Sequence, residues 1–196
     1  MCIRDRIWAE WAYSAGVDER GISFVLTYPE LVNSERTTPR SLTQFFEQIA
    51  SIEDLKGNLQ LVEALALSSL DEVTVSSFIA FVNDELTQLI DPEEILEAED
   101  FKSISKKIKD ISVDDSGAKR VDRLSTMCSR LYLKLTSEDY NPEKNHSENL
   151  VQFLLLDTIP NDLLMSLYMD LQKHGGDEIK EMTRDKKLAS KLLSTL

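Results

Sequence analysis

Apolar side chains recur along this chain in steps of three and four, and that spacing limits its fold more than any other feature. Leu42, Phe45, Phe46 and Ile49 lie at i, i+3, i+4 and i+7, one face of a helix. The same spacing returns in Leu59, Val62, Leu65 and Ala66, and then in Val75, Phe78, Ile79, Val82, Leu86 and Leu89. It continues through Phe101, Ile104, Ile108 and Ile111, and through Val121, Leu124, Cys128, Leu131 and Leu135. Val73, Thr74 and Val75 alone would suit a strand, but the longer helical pattern around them prevails. Six glycines and five prolines are about half the usual share, so turns are few and helices long. The expected fold class is all-α, and no internal repeat points to a solenoid.

Local signals mark where these helices begin and end. Residues 7–15 read as a short helix with Trp8, Trp11 and Ala12 on one side, stopped near Gly16. Asp18 is placed to cap a second helix running through Phe24 and Leu26 toward Pro29. Thr38 before Pro39 is a capped start with proline in the first turn, where its missing N–H costs nothing. Asp71-Glu72 and Asp91-Pro92-Glu93-Glu94 are further starts, and the first part is expected to end just before Asp91. Trp8, Trp11, Phe24, Leu42, Phe45, Phe46, Phe78 and Ile79 are its expected core. Beyond, Val113–Lys119 reads as a turn-rich break and 137–149 as a long exposed loop. A helix opens at Ile159-Pro160, carries Leu163, Leu164, Leu167, Met169 and Leu171, and closes at Gly175-Gly176. Asp177–Leu196 is expected to form one last helix.

Arg40 stands out within this pattern. It falls in the first turn of the helix that Thr38 caps, beside the positive end of the helix dipole. A cation there forgoes roughly 0.3–1 kcal/mol that an anion would gain. An exposed arginine at that place is suited to meet an anion, phosphate above all.

The residues around Arg40 share a family's order. Trp8-Ala9-Glu10-Trp11-Ala12 is followed by Gly16-Val17-Asp18, Ile22-Ser23-Phe24-Val25-Leu26, Tyr28-Pro29-Glu30-Leu31 and Thr38-Pro39-Arg40-Ser41. Over Trp8–Ile52 this resembles the small helical lid domain of AAA+ ATPases of the MoxR type, notably those that work with von Willebrand factor A domain partners. The resemblance implies a lid-like domain over 7–90 and a further helical module over 91–196. It also implies that Arg40 is the sensor-2 residue, reaching from the lid toward the phosphates of ATP. Members often carry tryptophan after the serine where this chain has Leu42. The whole protein would use ATP and Mg2+, assemble into a ring and remodel or mature other proteins.

No stretch matches G-x-x-x-x-G-K-S/T, and the glycines do not cluster into a phosphate-cradling loop. No strand ending in paired acids reads as a magnesium-holding element. The lid reading therefore expects a separate ATP-binding core, and expects no hydrolysis and no bound cofactor in this chain alone. Met1-Cys2-Ile3-Arg4-Asp5-Arg6 resembles translated sequencing-adapter DNA at the edge of a contig. Residues 1–6 are accordingly expected to be a non-native leader without core contacts.

The net charge of −13 disfavours a surface built to coat nucleic acid, where binding depends on neutralising phosphates with lysine and arginine. No apolar run is long enough to cross a membrane. With Cys2 assigned to the leader, Cys128 is left as a small core residue, which excludes a disulfide framework and fits a reducing, cytoplasmic setting. A catalytic thiol would want a histidine nearby, and none is near in sequence. His146 and His174 lack partners at metal-ligand spacing. Asp114-Asp115-Ser116-Gly117 fails as a calcium loop, because its glycine comes too early and no glutamate closes the twelfth position. The acidic run Asp91–Asp100 reads as a solvated helix face. Lys102, Lys106, Lys107 and Lys109 form a basic patch suited to water or to an acidic neighbour. The competing function is a stand-alone helical adaptor that binds proteins and no nucleotide. A nucleic-acid role for the lysine patch runs against the overall acidity.

Overall fold

The computed structural model describes residues 3–33, 36–85, 90–114, 116–138 and 140–193, with side chains at 3–6, 30, 33, 84–85 and 193 left aside. The chain is all-α. Its described residues form twelve α-helices, and the single β-bridge among them joins Val113 to Lys119. They divide into two compact units, Met1–Gln88 and Leu89–Leu196.

The first unit holds α1 (Ile3–Ser14), α2 (Glu19–Thr27), α3 (Pro39–Ile49), α4 (Leu59–Ser69) and α5 (Glu72–Ala80). Gly16 adopts φ 71, a left-handed backbone that stops α1 at little cost to glycine. Asp18 caps α2 by accepting from Arg20 N, and Asp71 caps α5 by accepting from Thr74 N. A 3-10 turn at Pro29–Asn33 follows α2, and a π-helical turn at Phe81–Glu85 extends α5. α2 packs on α1, and α4 packs on both α3 and α5.

The centre of this unit is aromatic. Phe78 meets Phe24 at 5.1 Å and Phe45 at 5.0 Å, both nearly edge-on, the arrangement that ring quadrupoles favour. Phe46 and Phe81 flank Phe78, and Trp8 lies 6.3 Å from Phe46. Burying each ring contributes roughly 1.5–3 kcal/mol. Arg20 secures the far end of α3. It pairs with Asp18 at 2.5 Å and donates to the carbonyls of Ile49, Ile52 and Glu53, a cation at the negative end of a helix.

Two expected core members are not central. Trp11 is 52% exposed and Ile79 is only half-buried. Each helical residue turns about 100°, so Trp11 falls roughly 100° from the middle of the face formed by Trp8, Ala9 and Ala12. Ile79 is offset similarly from the Thr74–Val75–Phe78 face. α1 also begins before the expected helix, so the backbone of residues 3–6 shares it. The side chains of residues 1–6, and Leu86 and Leu89, lie outside the described residues.

The second unit holds α6 (Pro92–Leu96), α7 (Phe101–Ile111), α8 (Val121–Leu135), α9 (His146–Leu154), α10 (Asn161–His174), α11 (Asp177–Met182) and α12 (Lys186–Leu193). Ile95, Leu96, Ile108, Leu131, Leu150, Phe153 and Leu171 fill its core. The expected long loop is shorter than the composition implies, because α9 begins at His146 and buries both His146 and Asn149. Asn149 donates to the carbonyls of Leu96 at 2.8 Å and Ala98 at 2.9 Å, which satisfies the open end of α6. The expected last helix is two. Thr183 is buried, and Asp185 accepts from the N–H groups of Lys187 and Leu188, opening α12. Met169 is 62% exposed, since it lies across α10 from Leu164, Leu167 and Leu171. At the far end, the Lys191 ammonium donates to the Leu155 and Leu156 carbonyls.

Candidate functional site

The start of α3 is built by four consecutive residues. Thr38 has extended backbone, and its hydroxyl accepts from Ser41 N at 3.2 Å. The Ser41 hydroxyl accepts in return from Thr38 N at 2.9 Å and donates to the Arg36 carbonyl at 2.7 Å. This reciprocal box, with serine where glutamate is commoner, satisfies donors that the helix itself leaves open. Pro39 occupies the first turn. Arg40 follows, exposed, and it forms no hydrogen bond or ion pair with any described residue.

Arg40 does not stand on a bare surface. Trp8, Trp11, Pro39, Arg40, Thr43, Gln44 and Glu47 line an open groove of about 520 Å³ between α1 and α3. Trp8 is buried to 8% exposure, with its indole N–H lacking a partner among the described residues, while Trp11 is 52% exposed. The groove thus offers a cation unpaired among the described residues, a helix N-terminus and an exposed indole side by side. An anion gains from the first two together. The arginine and both tryptophans were visible in the sequence, but the grouping of Trp11 with Arg40 rather than with the core was not.

Behind Arg40 lies a buried polar cluster that sequence reasoning missed. Thr37 is fully buried, its hydroxyl donates to the Asp71 carboxylate, and it lies 3.0 Å from the Thr74 hydroxyl. The Asp71 N–H donates back to the Thr37 oxygen at 3.3 Å. Only the capping role of Asp71 was readable from local spacing.

The other candidates resolve into structural roles. The acidic run is not merely solvated: Asp91 pairs with Arg130 at 2.7 Å, Glu93 with Lys134 at 2.5 Å and Glu94 with Lys107 at 2.5 Å. Asp91 caps no N–H of α6 with its side chain. Burial pushes the Glu93 carboxyl upward, yet the Lys134 ammonium and the Arg130 charge outweigh it and hold it below the usual range. Lys102, Lys106 and Lys109 stay exposed on α7, while Lys107 is engaged. Asp114 accepts from Ser116 and from the Ala118 N–H, which lowers its pKa and shapes the turn to Gly117; Asp115 lies outside the described residues. Tyr140 stacks on His146 at 5.7 Å, and its hydroxyl meets His146 Nδ1 at 3.0 Å. His174 instead faces Tyr132 at 6.2 Å. Burial pushes the Cys128 thiol up to about 12. Among the described residues no three His, Cys, Asp or Glu side chains gather as a metal site, and no helix is long and apolar enough to cross a membrane. Compared with protein-family models, with curated proteins and with solved structures, the chain matches none.

Proposed function

We propose that residues 7–90 are the helical lid of a MoxR-type AAA+ ATPase, with Arg40 as its sensor-2 arginine. The observation that carries this reading is the exposed Arg40 on the first turn of a boxed helix, unpaired among the described residues. A guanidinium held there has two prongs ready for phosphate oxygens and a helix dipole adding to its charge. Nucleotide bound to a neighbouring core, with its Mg2+, would engage Arg40 and bias the lid between two positions, a hinge-type switch. The complete protein would be a cytoplasmic ring that spends ATP on remodelling or maturing its partners, a von Willebrand factor A domain protein among them. Residues 91–196 would be its second helical module.

Recovering the longer reading frame upstream of Ile7 tests this. A phosphate-cradling loop and a magnesium-holding acid there support the ATPase. A complete gene starting near Ile7 without them refutes it. The adaptor reading draws on a different observation: Leu61 and Leu67 are exposed on α4 and Val73 on α5. Pull-down partners that are lost on Leu61→Ser and Leu67→Ser, with Arg40→Ala neutral, would favour it.

A further inference from the structure

We propose that Thr37 is a positioning residue for Arg40, tying the first turn of α3 to the first turn of α5 through Asp71. The proposal rests on the sensor reading of Arg40 and adds how its placement is set. One carboxylate serves both helices. Asp71 Oδ1 accepts from Thr74 N at 2.9 Å and closes the start of α5, while Oδ2 accepts from the Thr37 hydroxyl. Thr37 leads directly into the Thr38–Ser41 box, and the Ser41 hydroxyl reaches back over it to the Arg36 carbonyl. The backbone from Arg36 to Ser41 is therefore held at both ends, with Arg40 inside the held segment. The Arg36 guanidinium also approaches the Leu67 and Ser68 carbonyls at 3.4 and 3.5 Å, near the end of α4.

Thr37 is fully buried, and a valine would fill the same space without a hydroxyl to desolvate. Buried hydroxyls are costly unless satisfied, and a satisfied network restricts the chain to one geometry. The gain from the hydroxyl is direction: it holds α3 by its leading end, so that a pull on Arg40 is transmitted to the α4–α5 corner.

Amide exchange in the 196-residue chain tests the tie without nucleotide. Thr37→Val should speed exchange at Ser41 and Thr74 together by roughly tenfold, the loss expected for a hydrogen bond to a charged group. Thr37→Ser should restore both, and Leu131 in the second unit should stay unchanged. Should Thr37→Val fail to fold, Thr37→Ala removes the same hydroxyl and should speed Ser41 and Thr74 likewise. Unchanged exchange at Ser41 overturns the proposal.

A double-substitution cycle in the ATPase containing this chain tests the link to Arg40. Thr37→Val should lower kcat roughly three- to tenfold in the native background and less than twofold on top of Arg40→Ala. Equal losses in both backgrounds would make Thr37 merely structural and overturn the proposal. Full turnover in Arg40→Ala itself would refute the sensor reading, and the role of Thr37 with it.

Discussion

A Cβ added to Gly21 in α2 would stand 2.4 Å from Cγ of Phe46 in α3, inside the van der Waals surface of a fully buried ring. The two helices approach this closely because glycine leaves room for the face of the phenyl group. Replacing a glycine within a helix by alanine ordinarily gains up to about 1 kcal/mol. Here Gly21→Ala should reverse that sign and cost about 1–3 kcal/mol through overpacking. Urea unfolding of the variant checks it. A midpoint equal to or above wild type would show that the ring shifts freely.

Asn149 should matter more than its polar, loop-like neighbourhood implies. Both of its carbonyl partners lie at the end of α6, and it is buried. Asn149→Ala should cost about 1–3 kcal/mol by leaving those acceptors unmet. Asn149→Asp should cost more, because a carboxylate presents no donor to them. An aspartate variant as stable as wild type in urea would contradict the assigned hydrogen bonds.

Burial pushes the Cys128 thiol from its ordinary 9.0 to about 12. The folded chain therefore keeps its proton at a pH where the unfolded chain loses it. The contribution of Cys128 to stability is complete below about 9 and declines as pH rises from there toward about 12. Thiolate is the reactive form, so labelling at pH 8 should be slow in native protein and fast in urea, read by mass spectrometry of the Cys128 peptide. Rapid labelling of the native chain would contradict its burial.

Local chemistry explains what the sequence revealed of this fold. Thr38, Asp18 and Asp71 cap helices through partners two or three residues away, so their roles are written in short strings. The 3-and-4 spacing correctly put Phe24, Leu42, Phe45, Phe46 and Phe78 inside. It misjudged Trp11 and Ile79 because spacing sets an angle around a helix, whereas neighbouring helices decide how much of that circumference is covered. His146 and Asn149 were assigned to a loop because their packing depends on residues distant in sequence. The break at Thr183 escaped notice for a similar reason: the Thr183 hydroxyl bonds back to the Ile179 carbonyl and accepts from Gln172 of α10. At the candidate site, the capped start of α3 was legible from Thr38 and Pro39, whereas the return bond from Ser41 was not. The groove beside it needed α1, and the Thr37–Asp71 tie needed α5.

The most direct measurement of the sensor reading compares ATP turnover and thermal melting for Arg40→Ala and Arg40→Lys in the longer protein that this reading proposes, lid and ATP-binding core together. Arg40 is exposed and unpaired among the described residues, so both variants should melt close to wild type. Turnover should fall at least tenfold in Arg40→Ala, about the loss of one charge-assisted phosphate contact. Arg40→Lys should recover part of it, since lysine keeps the charge but lacks the planar fork. Undiminished turnover in both variants would contradict the sensor role. A melting temperature that falls in step with activity would make Arg40 a structural residue instead.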